Sequence, residues 1–193
     1  PCAGQGKGVK MIPVIEEALQ GTTYEYSIYT TKAAGDAERF VREVCESGRE
    51  VRFYVCGGDG SFHEAVNGLK GFPAAEMGLL PLGTGKDFVR NFGKKKAFMD
   101  ILSQVEGKSI PCDVIELNGR YVVNMANIGF DCEVAAKAAE WKKKPLVSGP
   151  AAYIMGILSE FAKPMGNRMS FRWADGTTMS GRYLLCTLAN GSF

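Results

Sequence analysis

The chain has 193 residues, 46% hydrophobic and 23% charged, which supports a packed core and excludes a disordered, collagenous or disulfide-stapled chain. Its formal net charge of +2 provides no general attraction to nucleic acid, which is not an expected partner. Two local basic runs, Lys94-Lys95-Lys96 and Lys142-Lys143-Lys144, are by rule solvated faces.

Six cysteines, at positions 2, 45, 56, 112, 132 and 186, include no Cys-x-x-Cys pair, and one histidine accompanies them. Zinc-ligand spacing is therefore missing, and a cytoplasmic, reducing compartment is the expectation. No apolar run reaches the roughly 18 residues that span a bilayer, and no basic start leads into an apolar signal core. Any membrane contact is expected to be peripheral and reversible.

In chain order, Pro1-Cys2-Ala3-Gly4 has the character of a turn that follows a strand, so the protein is expected to begin earlier. Ile12, Ile15 and Leu19, then Ala37, Phe40, Val41 and Val44, have helical spacing, while 24–29 and 51–56 have strand character. Phe62, Ala65, Val66 and Leu69 share a helical face; 77–82 is a buried strand; Phe98, Ile101, Leu102 and Val105 mark another helix. This alternation over residues 1–110 predicts an α/β domain, a parallel sheet with helices on its faces.

After Ile110 the rhythm changes. Residues 112–117 and 121–128 are strand-like around Asn118-Gly119-Arg120, a hairpin signal. Helical stretches follow at 132–140 and 151–161, and 169–173 and 179–188 flank the turn residues Asp175-Gly176. Residues 111–193 are thus expected to open a second, mainly antiparallel β-rich domain that is incomplete at Phe193.

Ligands of open parallel sheets bind beyond the carboxyl ends of the strands, and three such ends are glycine-rich: Gly4-Gln5-Gly6-Lys7-Gly8, Gly57-Gly58-Asp59-Gly60-Ser61 and Gly83-Thr84-Gly85. Glycines let backbone N–H groups approach a phosphate, and a helix starting after each turn adds its positive end. A polyphosphate is the expected ligand. A Walker A loop ending at Gly85-Lys86 would need glycine at Leu80 and Ser or Thr at Asp87, and the dinucleotide fingerprint from Gly58 would need glycine at His63. With both excluded, Asp59 is the informative residue: a carboxylate among phosphates is repelled unless a cation stands between them, which points to a Mg²⁺-bound nucleotide.

The blocks GGDGSFHEAVNG at 57–68 and PLGTGKDFVRNF at 81–92 resemble the signatures of the diacylglycerol-kinase catalytic domain, which sphingosine kinases and bacterial soluble lipid kinases share. The resemblance extends to PCAGQGKG at 1–8, TTKAAGDA at 30–37 and NMANIGFDCEV at 124–134. It implies a fold of the kind shared by diacylglycerol and NAD kinases, and an ATP pocket lined by Thr31, the turn Gly57, Gly58, Asp59, Gly60, Ser61, His63 and Glu64, and Thr84. Gly4, Gly6 and Gly83 belong to the same set of turns. Asp59 and Asp87 take the catalytic role by the same resemblance, with Asp59, Asp87 and Asp113 organising Mg²⁺ through water. A general base is expected beyond Phe193.

Three departures from the family pattern stand out. Ser61 replaces threonine, Lys86 replaces asparagine and places a cation within reach of phosphate, and Cys2-Ala3 replaces a small hydroxyl residue. The activity implied is transfer of the ATP γ-phosphoryl group to a lipid hydroxyl, diacylglycerol among the acceptors. An NAD kinase-like phosphotransferase and a non-catalytic nucleotide-binding module are the rivals, and the oligomeric state, a homodimer included, is open.

Each residue also has a plainer role to weigh. Asp59 can fix a tight turn, Asp87 can complete a capping box with Thr84, and Thr31 can cap the following helix. His63-Glu64 resembles the start of a zinc-peptidase motif, but Asn67 stands where the second histidine would be. The stretch 146–161, with Tyr153, Ile157 and Phe161 at four-residue spacing, is either core or the lining of an acyl groove.

Overall fold

The computed structural model describes residues 6–83, 87–142, 154–159 and 166–191, with the side chains of 131, 139 and 142 left aside. The expectations for Gly4, Thr84, Lys86, Lys143, Lys144 and most of 146–161 lie outside the described residues. The chain divides into two compact units, Pro1–Asn124 with Asn190–Phe193, and Met125–Ala189.

The first unit is built on β1 (Arg52–Gly57) and β2 (Glu76–Pro81), paired in parallel from Arg52↔Glu76 to Gly57↔Pro81. Helices α1 (Lys7–Leu19), α2 (Asp36–Glu46), α3 (Asp59–Gly68), α4 (Asp87–Arg90), α5 (Lys95–Phe98) and α6 (Ile101–Glu106) complete it, followed by the hairpin β3 (Ile115–Leu117) and β4 (Arg120–Val122). The twofold repeat of a strand explains why both faces of β2 are covered. Leu79 packs with Phe62 and Val66 of α3, Val89 of α4 and Val123, whereas its neighbour Leu80 packs with Leu19 of α1 and Ile101 of α6. One alternation in sequence creates two cores.

Three expectations change here. Residues 24–29 join no ladder among the described residues, and Tyr24, Tyr26 and Ile28 stay exposed; apolar alternation makes a strand only where a neighbouring strand offers backbone partners. The helix expected around Phe98–Val105 breaks at Asp100, whose carboxylate accepts the Ser103 N–H at 3.1 Å and starts α6 afresh. The run 121–128 divides at Asn124, because β4 pairs with β3 while Met125–Gly129, β5, pairs elsewhere.

The hairpin forms as its turn dictates: Asn118 and Gly119 have φ of 50° and 78°, the pair of left-handed residues that a two-residue hairpin turn requires. Buried Asn67 of α3 anchors it, donating to Tyr121 O at 3.0 Å and accepting Tyr121 N–H at 2.9 Å. The first unit therefore runs past the change of rhythm at Ile110 to Asn124.

In the second unit β5 pairs antiparallel with β8 (Leu185–Ala189), and β6 (Asn167–Arg172) with β7 (Thr178–Tyr183), around α7 (Phe130–Lys142). The expected strand 179–188 is thus two strands separated at Leu184. Asp175 and Gly176 form the β6–β7 turn, with Asp175 accepting the Thr177 N–H at 2.8 Å. Val134 and Ala138 of α7 are buried, and the helical residues 154–159 approach them so closely at Gly156 that a Cβ there would lie 2.9 Å from Val134 O. The architecture is α/β, a parallel pair in the first unit and antiparallel strands in the second.

Candidate functional site

Because β1 and β2 are parallel, their carboxyl ends bring two glycine turns together. Leu82 N–H donates to Gly57 O at 2.8 Å, and a Cβ built on Gly83 would lie 2.5 Å from Gly58 Cα. The two backbones touch. A Cβ on Gly57 would likewise meet Ser61 Cβ at 2.7 Å, so the sharp exit from β1 into α3 accepts no side chain.

Helices α1 and α3 begin at Gly6 and Gly58 with no side-chain cap on either, whereas α6 has its Asp100 cap. First-turn N–H groups without an intramolecular acceptor are the donors an anion requires. Gly6 is left-handed at φ 86° with open space where a Cβ would be.

Asp59 stands in the first turn of α3, and its carboxylate has no hydrogen bond or ion pair among the described residues. Asp87 starts α4 and makes a loose, exposed ion pair with Arg90 at 3.3 Å, worth little by itself. Asp113 is exposed ahead of β3, and its carbonyl accepts from Asn190 Nδ2 at 2.6 Å. Among the described residues no three carboxylate, histidine or cysteine side chains converge on a metal position. The three aspartates are not assembled into a direct cation cage.

An open cavity of about 1710 Å³ lies in this unit, and Gly8, Thr31, Ser61 and Glu64 all line it. Thr31 belongs to a loop closed by Asp36, whose Oδ2 accepts Lys32 N–H at 2.8 Å and the Tyr29 hydroxyl at 3.0 Å. The Arg39 guanidinium, then the Lys32 amide, hold the Asp36 carboxyl down to about 2. Glu64 does not stand free: its Oε2 accepts Gly35 N–H at 3.0 Å. His63 is half-buried on α3, and its carbonyl accepts from Asn67 Nδ2 at 2.8 Å.

Sequence reasoning singled out neither Asn67 nor Asp36 for these contacts. The signal for Asn67 was an amide on the apolar face of α3; for Asp36 it was an acid immediately after a glycine. Cys56, just before the turn, has its thiol pushed up to about 11 by burial. It adds no negative charge beside the glycines.

The chain is similar to known proteins. The family model described as the diacylglycerol kinase catalytic domain matches residues 1–117. A protein of Alcanivorax borkumensis named "Probable lipid kinase YegS-like" is 35% identical over 92% of this chain and 58% of its own length. The protein named diacylglycerol kinase of Staphylococcus carnosus is 31% identical over 97% of the chain and 61% of its own length. A crystal structure titled as a diacylglycerol kinase from Bacillus anthracis superposes with a TM-score of 0.67 at 27% identity, over 100% of this chain and 62% of that one. The chain thus spans less than two thirds of the relatives it matches, and its two signature blocks and its fold place it with them: it belongs to the diacylglycerol kinase catalytic domain family.

Proposed function

We propose that the protein is an ATP-dependent lipid kinase that binds its nucleotide at the paired glycine turns and transfers the γ-phosphoryl group to a lipid hydroxyl. The observation that carries this reading is the backbone contact of Gly58 with Gly83, which puts the uncapped start of α3 beside the second turn at one end of the sheet. The names of the relatives, lipid kinase and diacylglycerol kinase, support a lipid alcohol as acceptor, with diacylglycerol the first to test.

In this reading the N–H groups at the start of α3 bind and orient the polyphosphate, and the loop carrying Thr31 contacts the nucleoside side. The bond from the γ-phosphorus to the bridging oxygen breaks as the bond to the lipid oxygen forms, giving ADP, a phosphorylated lipid and the hydroxyl proton. Positioning and charge neutralisation carry most of such a reaction.

Mg²⁺, when bound with the nucleotide, neutralises phosphate charge. In this reading Asp59, whose carboxylate at the turn has no hydrogen bond or ion pair among the described residues, would hold it from the outside, with Asp87 and Asp113 acting through water. The protein would meet its lipid at a membrane surface, reversibly, with the exposed Lys94-Lys95-Lys96 run as the basic contact.

The test is a transfer assay on the intact protein with labelled ATP, Mg²⁺, a panel of diacylglycerol and other lipid alcohols, and NAD. Label in a lipid is the expected result. Label in NAD alone would replace the reading with an NAD kinase-like activity, and ATP binding without transfer to any acceptor would make the protein a nucleotide-binding module.

A further inference from the structure

The resemblance to lipid kinases groups Glu64 with the nucleotide-contacting residues, but the structure gives its carboxylate a different occupation. Helix α2 begins at Gly35, φ 81°, with no side-chain cap of its own. The acceptor for the Gly35 N–H comes from another helix: Glu64 Oε2 lies 3.0 Å away. A carboxylate at a helix start is favoured both by the unsatisfied N–H groups and by the helix dipole.

Two other contacts fix how α3 lies beside α2. A Cβ on Gly68 would sit 2.6 Å from Glu38 O and 2.7 Å from Val41 Cβ, so the helices touch there backbone to side chain. Arg42 donates to Asn67 O at 3.1 Å. With Glu64 opposite Gly35, Gly68 opposite Glu38 and Asn67 opposite Arg42, the helices run in the same sense, and the first turn of α3 projects past the start of α2. The loop 30–35 therefore lies alongside the turn that carries Asp59 and Ser61, and Thr31, Ser61 and Glu64 face one cavity.

The loop is closed against the start of α2. Asp36 binds Lys32 N–H and the Tyr29 hydroxyl, and the Tyr29 ring stacks on Phe40 with centroids 3.8 Å apart. Among the described residues, Gly35 N–H to Glu64 is the one hydrogen bond that ties this loop to α3. The loop is seated on the start of α2 and tied to α3 by this one hydrogen bond, so cutting it frees the loop to shift relative to the first turn of α3.

We infer that Glu64 is a positioning residue: by accepting the Gly35 N–H it sets the spacing between the loop carrying Thr31 and the phosphate-binding turn, and so governs affinity for the nucleoside part of the ligand. This inference rests on the nucleotide site proposed above. It requires an acceptor at Glu64 rather than a charge, because the group it serves is a neutral amide. Gln retains an acceptor oxygen at the same reach; Ala removes it, and Asp falls one methylene short.

The experiment measures equilibrium binding of ATP and of inorganic tripolyphosphate to the intact protein and its Glu64→Ala, Glu64→Asp and Glu64→Gln variants, with thermal unfolding as a check on folding. Losing the hydrogen bond that orders a binding loop should weaken ATP about tenfold in Glu64→Ala and Glu64→Asp. Tripolyphosphate, which spans the glycine turn alone, should bind all four proteins alike, and Glu64→Gln should restore most of the ATP affinity. If Glu64→Gln is as poor as Glu64→Ala and tripolyphosphate binding falls with it, Glu64 acts by its charge at the phosphates and the inference is overturned. Unchanged ATP affinity in Glu64→Ala also overturns it, while leaving the nucleotide site standing. A parent protein that binds neither ligand removes the nucleotide site itself.

Discussion

Single atoms decide the geometry of the glycine turns. Gly83 is needed because a Cβ there would lie 2.5 Å from Gly58 Cα, a neighbour that is backbone and cannot swing aside. Gly83→Ala should therefore destabilise the first unit by about 1–3 kcal/mol, as overpacking does, and lower ATP affinity; chemical denaturation and nucleotide binding would check the two effects. Asp59 is the opposite case. Its carboxylate has no hydrogen bond or ion pair among the described residues, so Asp59→Ala should unfold at nearly the parent temperature while, in the proposed reading, lipid phosphorylation falls about 100-fold or more, the scale of losing a main electrostatic contributor. Retained phosphorylation would remove Asp59 from the site. The glycines and Asp59 were legible in the sequence because each is a residue type with an uncommon use. Asn67 was not, since an amide on a helix face announces no partner, and its ring of bonds to His63 and Tyr121 exists after the hairpin has docked.

Elements are held here by contacts between their ends. Helix α2 has acids in its first turn, Asp36 and Glu38, and Asp36 closes the Tyr29–Asp36 loop through Arg39, Lys32 and Tyr29. Its folded carboxyl lies at about 2 against an ordinary 3.8. The group binds fewer protons folded than unfolded, so its stabilisation is present above about pH 4 and disappears as pH falls towards about 2. Asp36→Asn should thus lower the unfolding temperature at pH 6, and the gap to the parent should close across that window in a pH series of thermal scans. The helices α1, α2 and α3 and the strands β1 and β2 followed from period alone. The segment 24–29 did not, because its alternation states which side chains could face a core but not whether a strand lies beside it. The separation of α5 from α6 likewise depended on Asp100 acting as a cap rather than as one more polar helix residue.

For the whole molecule, under the proposed function, the question is how a protein with no described helix long and apolar enough to cross a membrane would meet a lipid. Lys94, Lys95 and Lys96 are exposed in succession at the start of α5, and each lysine near an anionic surface contributes on the order of 1 kcal/mol. Replacing all three by Glu should reduce sedimentation with anionic vesicles by about 100-fold or more at low salt, and raised salt should weaken the parent in the same direction. Equal binding of parent and variant would place the membrane contact elsewhere. At this scale two cores on the two faces of β1 and β2 create the support for the turns, and the strand pair delivers both turns to one end.

By itself the sequence determined the alternation of strand and helix, the hairpin at Asn118-Gly119 and the candidate phosphate turns, because periodicity and the special conformations of glycine are local properties. The tertiary structure decided which of these meet. It set Gly58 against Gly83, gave Glu64 to Gly35 rather than leaving it in solvent, divided two long strand-like runs between different partners, and left the three aspartates without a shared metal position. Those outcomes depend on residues far apart in the chain, and spacing along a sequence has no means of stating which distant backbone groups will arrive beside a side chain.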